Sequence, residues 1–84
     1  MLYQIFTEDV NRPEITRILD SHFTGYTLVP ASGHWEGIAE PSVIAEIETT
    51  DKQAVDAVAD AIRLANHQHA VLVEAIPSTS EVRS

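Results

Sequence analysis

The sequence predicts an α+β fold with the element order β-α-β-β-α-β. Three observations carry this. Four short runs are rich in β-branched, aromatic and aliphatic residues. Two longer stretches space their apolar residues at helical intervals. Glycine, proline and acidic residues fall between these segments, where chain reversals belong.

LYQIFT (2–7) opens the chain as a strand and stops at Glu8–Asp9. NRPEITRILDSHF (11–23) reads as a helix. Asn11 is a cap, Pro13 suits the first turn, and Glu14 completes a capping-box spacing. Ile15, Ile18, Leu19, His22 and Phe23 make one apolar stripe, and Gly25 supplies the stop. YTLVPAS (26–32) is the second strand. SVIAEIETT (42–50) is the third, with Val43, Ala45 and Ile47 on one face and Ile44, Glu46 and Glu48 on the other. DKQAVDAVADAIRLANHQ (51–68) is a helix capped by Asp51, its inner stripe formed by Val55, Val58, Ile62 and Ala65. AVLVEAI (70–76) is the fourth strand, closed by Pro77. Residues 1–77 are expected to form one domain and residues 78–84 a polar tail.

This order is the ferredoxin-like split unit: a four-stranded antiparallel sheet with two helices on one face. Each strand carries apolar residues on both sides: Leu2 and Phe6 against Tyr3 and Ile5, Leu72 and Ile76 against Val71 and Val73. One helix layer covers one face, so the other face predicts an oligomer.

Composition narrows the function classes. The net charge is −8, and the five basic residues are scattered. Phosphate neutralisation needs clustered Lys and Arg, so nucleic acid and anionic membranes are set aside as partners. Cysteine is absent, which excludes disulfides, thiolate metal sites and cysteine nucleophiles. No apolar run reaches the roughly 20 residues of a membrane span, and the first residues lack a basic signal-peptide region. A soluble cytoplasmic protein is the expectation.

The segment SGHWEGIAEPS (32–42) concentrates the candidate chemistry, including Trp35, the only tryptophan. Trp35 is either an aromatic plug at a subunit interface or a stacking wall in a ligand cleft. Gly33 and Gly37 flank it. His67 and His69 have a His-x-His spacing that puts both imidazoles on one side of an extended chain, where they could share zinc, copper or nickel. The bland alternative is two exposed histidines at a helix C-terminus. A third ligand would come from His34, Glu36 or Glu40. The hairpin between the middle strands and the loop after the second helix are expected at opposite ends of the sheet, so one chain is not expected to bring that ligand to the histidines. Ser32, Ser42, Thr49 and Thr50 are hydroxyl nucleophiles only in principle, since no G-x-S-x-G elbow accompanies them. Enzymatic activity is not expected.

The segment HWEGIAEPSVIAEIETTDKQAVDAVADAI resembles the centre of CutA-type proteins of the PII-like superfamily. The likeness rests on Trp35-Glu36-Gly37, Glu40 three residues on, an apolar strand and Thr49-Thr50 before the second helix, with VLVEAI (71–76) similar to the closing strand. The resemblance implies a homotrimer with sheets packed inward and effector clefts between subunits. Trp35, Glu36, Gly37, Glu40 and His69 would line the cleft. It also implies a role in divalent-cation tolerance or in nucleotide-dependent signalling. The chain departs from the pattern in lacking the family's cysteine, and His67-Gln68-His69-Ala70 replaces its histidine-proline-tyrosine-glutamate. With only about eight residues expected between the middle strands, the long PII signalling loop is missing, as are its phosphate loop and basic C-terminal residues. These departures speak against PII-type ATP binding. A divergent PII-like module of unknown role fits as well as CutA proper. A purely structural trimer docking on a protein partner is the third reading.

Overall fold

The predicted elements form in the predicted order: β1 (Leu2–Glu8), α1 (Arg12–Asp20), β2 (Thr27–Trp35), β3 (Ile38–Glu48), α2 (Lys52–Ala65) and β4 (Leu72–Ile76). The computed structural model describes residues 1–84 except His69, Ser80, Val82 and Ser84. The strands make one antiparallel sheet in the order β2-β3-β1-β4. This is the ferredoxin-like arrangement.

Alternation along the strands decides which side each residue faces. Tyr3, Ile5 and Thr7 of β1 are buried, and so are their partners Ile47, Ala45 and Val43 on β3. The helices close over this face with Ile15, Ile18 and Leu19 of α1 and Val55, Val58, Ala59 and Ile62 of α2. Ile5, Ile15, Leu19, Val43, Val55, Val58 and Ile62 are fully enclosed. Burying each such side chain contributes roughly 1.5–3 kcal/mol by area.

The opposite face has no helix. Its cross-strand rows follow from the register. Val29, Ile44, Phe6 and Leu72 form an apolar row across all four strands. Glu46, Gln4 and Glu74 form a polar row beside it, in which Gln4 Nε2 donates to Glu46 at 2.9 Å. Leu2 and Ile76 follow, with Glu48. Glu48 pairs with the Met1 ammonium at 3.0 Å and accepts from the Ser78 hydroxyl. The two-sided apolar pattern expected of the strands is therefore present.

Several boundaries differ from expectation. The segment 32–42 is not a loop of eight residues. Strands β2 and β3 run through it to the pair Trp35–Ile38, leaving Glu36 and Gly37 as a two-residue turn. Both turn residues have positive φ, 50° and 79°, the signature of a type I′ hairpin. Pro30 and Pro41 are tolerated because β2 is an edge strand and β3 has lost its β1 neighbour beyond Ser42. Helix α1 ends at Asp20 rather than near Gly25. The Ser21 hydroxyl caps the Ile18 carbonyl at 2.7 Å, and exposed His22 leaves the apolar stripe. Asn11 is the cap position but lies in the left-handed region and makes no side-chain cap bond. Glu14 turns to Arg17 instead of closing a capping box. Asp51, by contrast, caps α2 as expected, accepting from Ala54 N–H at 3.0 Å.

The expected separation of the hairpin from the α2–β4 corner is overturned. Three chain reversals meet at one end of the sheet. Strand β1 ends there at Glu8 opposite Ser42, β2 and β3 turn beyond that point, and β4 starts opposite Phe6. Each helix carries the chain back along the sheet, so β1 and β2 finish at the same end, where α2 also ends. The hairpin and the α2–β4 corner thus approach within one chain.

Candidate functional site

The long hairpin projects past the end of β1, and a cleft opens between it and the α2–β4 corner. Its volume is about 640 Å³, in the range of small-molecule sites. Phe6, Thr7 and Glu8 form its β1 side, Gly33, His34, Trp35 and Glu40 its hairpin side, and His67, Gln68 and Leu72 its far wall.

Local geometry explains how the hairpin keeps its shape. Gly33 faces Glu40 in the register, and a Cβ there would meet the Ser42 hydroxyl at 2.6 Å. Any larger residue would therefore make the Ser42 hydroxyl turn away. Gly37 needs its φ of 79°, which other residues rarely adopt. Glu36 adopts φ 50° without that freedom. Trp35 is 70 % exposed and Ile38, its cross-strand partner, 69 %. Within one chain Trp35 plugs nothing. It stands as an open aromatic wall beside the cleft.

The other wall is built by the end of α2. Gln68 N–H bonds to Arg63 O at 2.9 Å and His67 N–H to Leu64 O at 3.2 Å, which together form a Schellman motif. The motif requires a left-handed residue at position 67. Glycine usually fills it, yet here it is His67, at φ 55°. Beneath this corner Thr7 is buried, donating its hydroxyl to Gln68 Oε1. Asn66 Nδ2 approaches both groups, at 3.4 and 3.3 Å.

Electrostatics at the mouth come from two carboxylates. Glu8 lies on the open sheet face, like Glu40 of the hairpin. Partial burial holds the Glu8 carboxyl above its ordinary range, and the charge of Glu40 and a hydrogen bond between the two raise it further. Among the described residues no Lys or Arg lines the cleft. Arg12 is committed to Asp9, Arg17 to Glu14 and Lys52 to Asp56.

The expected site residues are thus partly brought together. Trp35, Glu40, His34 and His67 line one cleft of one chain. Glu36 and Gly37 form the turn that ends the hairpin and are not lining residues. His69 lies outside the described residues. Among the described residues no group of three His, Asp or Glu side chains could hold a metal ion. Sequence reasoning missed Phe6, Glu8, Gln68 and Leu72. Glu8 was read as the strand's acidic stop, although Leu2, Gln4, Phe6 and Glu8 alternate onto one face.

The sheet order and helix placement are those of the ferredoxin-like fold. A solved structure with this fold is that of CPII, a nitrogen regulatory PII-like protein from Thiomonas intermedia K12, bound to ADP, AMP and bicarbonate. The two chains superpose with a TM-score of 0.64 over 87 % of this chain and 82 % of that one, at 19 % sequence identity. No family model and no curated protein sequence matches the chain. Among the described residues no helix is long and apolar enough to cross a membrane.

Proposed function

We propose that this chain is a small effector-binding module. Its ligand occupies the cleft beneath the hairpin, and copies of the chain assemble through the open sheet face and close that cleft. The observation that carries the reading is the cleft itself, with Trp35 open on one side and Phe6 and Leu72 shared with the apolar row of the sheet. A neighbour packed on that row would also reach the cleft. Leu72 is 55 % exposed in the single chain, and covering it and its row removes apolar surface from water. The PII-like neighbour supports the effector reading because its structure holds small ligands, and the resemblance of the Trp35-Glu36-Gly37 segment to CutA proteins supports a trimer.

Two measurements test this. Light scattering should give about three times the 9.2 kDa chain mass. A thermal-shift panel of nucleotides, bicarbonate, amines and divalent ions should contain a ligand that raises the melting temperature of the wild type and not of Trp35→Leu. A monomer, or a panel without such a ligand, removes the reading.

A further inference from the structure

We propose that the cleft takes a small organic cation with a planar or methylated head group, rather than an anionic nucleotide. This rests on the cleft being the effector site and assigns the chemistry of what it binds.

The argument begins with what the cleft lacks. Phosphate recognition uses Arg, Lys or the exposed N–H groups of a helix N-terminus. The corner of α2 that reaches the cleft is its C-terminal end, where carbonyls carry the negative end of the dipole. The side chains of Arg12, Arg17 and Lys52 are engaged by carboxylates elsewhere. Arg63 lies in a different groove, with Asp56 and Asp60 between α2 and β4. Among the described residues, a phosphate entering the cleft would meet Glu8 and Glu40 and no Lys or Arg.

What the cleft contains points the other way. Burial raises the Glu8 carboxyl, and the charge of Glu40 and a hydrogen bond between the two raise it further, so the pair favours a positive charge beside it. A cationic head group can supply that charge and donate hydrogen bonds to both carboxylates. Trp35 and Phe6 offer aromatic faces, and an exposed indole is the strongest side-chain partner for a cation. The chain's charge of −8 draws cations toward this mouth and repels anions.

The pH dependence follows from every titratable group that faces the cleft among the described residues: Glu8 from β1, His34 from β2, Glu40 from β3 and His67 from the α2–β4 corner. Glu8 releases its proton above its ordinary carboxylate range. Its ionisation makes the cleft more negative as pH rises, so cation binding tightens.

The sole tryptophan makes the test local. Benzamidinium, benzamide, benzoate and ADP are titrated into the intact protein while Trp35 fluorescence is read. The first three share a ring and differ in charge. Benzamidinium is expected to change the signal saturably, more tightly than benzamide, with benzoate and ADP ineffective. Glu40→Gln and Glu8→Gln should each weaken benzamidinium by roughly tenfold, and binding should strengthen as pH rises through and above the ordinary carboxylate range. Calorimetry on Trp35→Leu, with circular dichroism confirming its fold, should show binding lost. Saturation by ADP or benzoate, abolished in Trp35→Leu, overturns the cation assignment and leaves the cleft as the effector site. Silence from probes of either charge overturns both.

Discussion

Replacing His67 by glycine should make the protein more stable. His67 closes the Schellman motif at the end of α2 with φ 55°. A non-glycine residue in the left-handed region costs about 1–2 kcal/mol, because its Cβ crowds the neighbouring carbonyl. Glycine removes that crowding but gives up about 0.5–1 kcal/mol of additional backbone entropy on folding. The balance favours His67→Gly by about 0.5–1 kcal/mol. For a chain of 84 residues that is a rise in melting temperature of roughly 2–8 °C. The assay is thermal unfolding by circular dichroism at one fixed protein concentration, since the proposed self-association would make the midpoint concentration-dependent. His67→Asn, with a side chain that tolerates this region better, should fall between the two. An unchanged or lowered midpoint would show that the imidazole makes a stabilising contact outweighing its backbone cost, and the strain argument would fail. If the midpoint rises while benzamidinium affinity falls, His67 is retained for the cleft at the expense of stability.

Other predictions draw on different parts of the molecule. Asp51→Ala removes the cap on Ala54 N–H and should cost about 1 kcal/mol, read as a lower urea midpoint with an unchanged slope. Ile5→Ala, at a position with no exposed surface, should cost about 2–5 kcal/mol, seen as a large loss of melting temperature. The Glu8 carboxyl is raised in the folded protein from an ordinary 4.5. Its contribution to stability is therefore full below the unfolded value and is lost as pH rises through the higher folded one. Glu8→Gln should accordingly be more stable than the wild type at neutral pH, with the difference closing as pH falls toward about 4, measured by urea unfolding across pH.

The helical layer was legible because local and tertiary demands agree there. Val55, Val58 and Ile62 fall on one stripe, Asp51 caps it, and the core accepts all three. The strands were legible from alternation, as Val43, Ala45 and Ile47 show. Helix α1 ended early because Ser21 and His22 side chains satisfy the Ile18 carbonyl, a local competition that Gly25 masked. The hairpin was misread because Ser32, Gly33, Gly37, Pro41 and Ser42 have the composition of a loop. Their backbone groups nonetheless find a ladder, with Ala31, Gly33 and Trp35 mirrored by Ser42, Glu40 and Ile38. The cleft was missed for a topological reason. Composition says nothing about which reversals share an end, whereas following the strand directions through each helix would have brought Glu8, Trp35 and His67 together.

The two-residue turn at Glu36 and Gly37 ties the site to an odd–even rule. Lengthening one arm of the hairpin by a single residue, with the turn pairing kept, exchanges the faces of every residue between the insertion and the tip. Trp35 and Glu40 would then move to the side now held by His34 and Ala39. Two residues added to one arm preserve each face but shift the partner strand. Two added to each arm keep both the pairing and the faces and carry the indole outward along the strands, whereas one added to each arm keeps the pairing but turns the indole to the other side. Relatives of this chain that keep an aromatic wall over the cleft should accordingly vary by even steps in each arm of the hairpin, and a relative with a single inserted residue should carry a bulge that restores the phase.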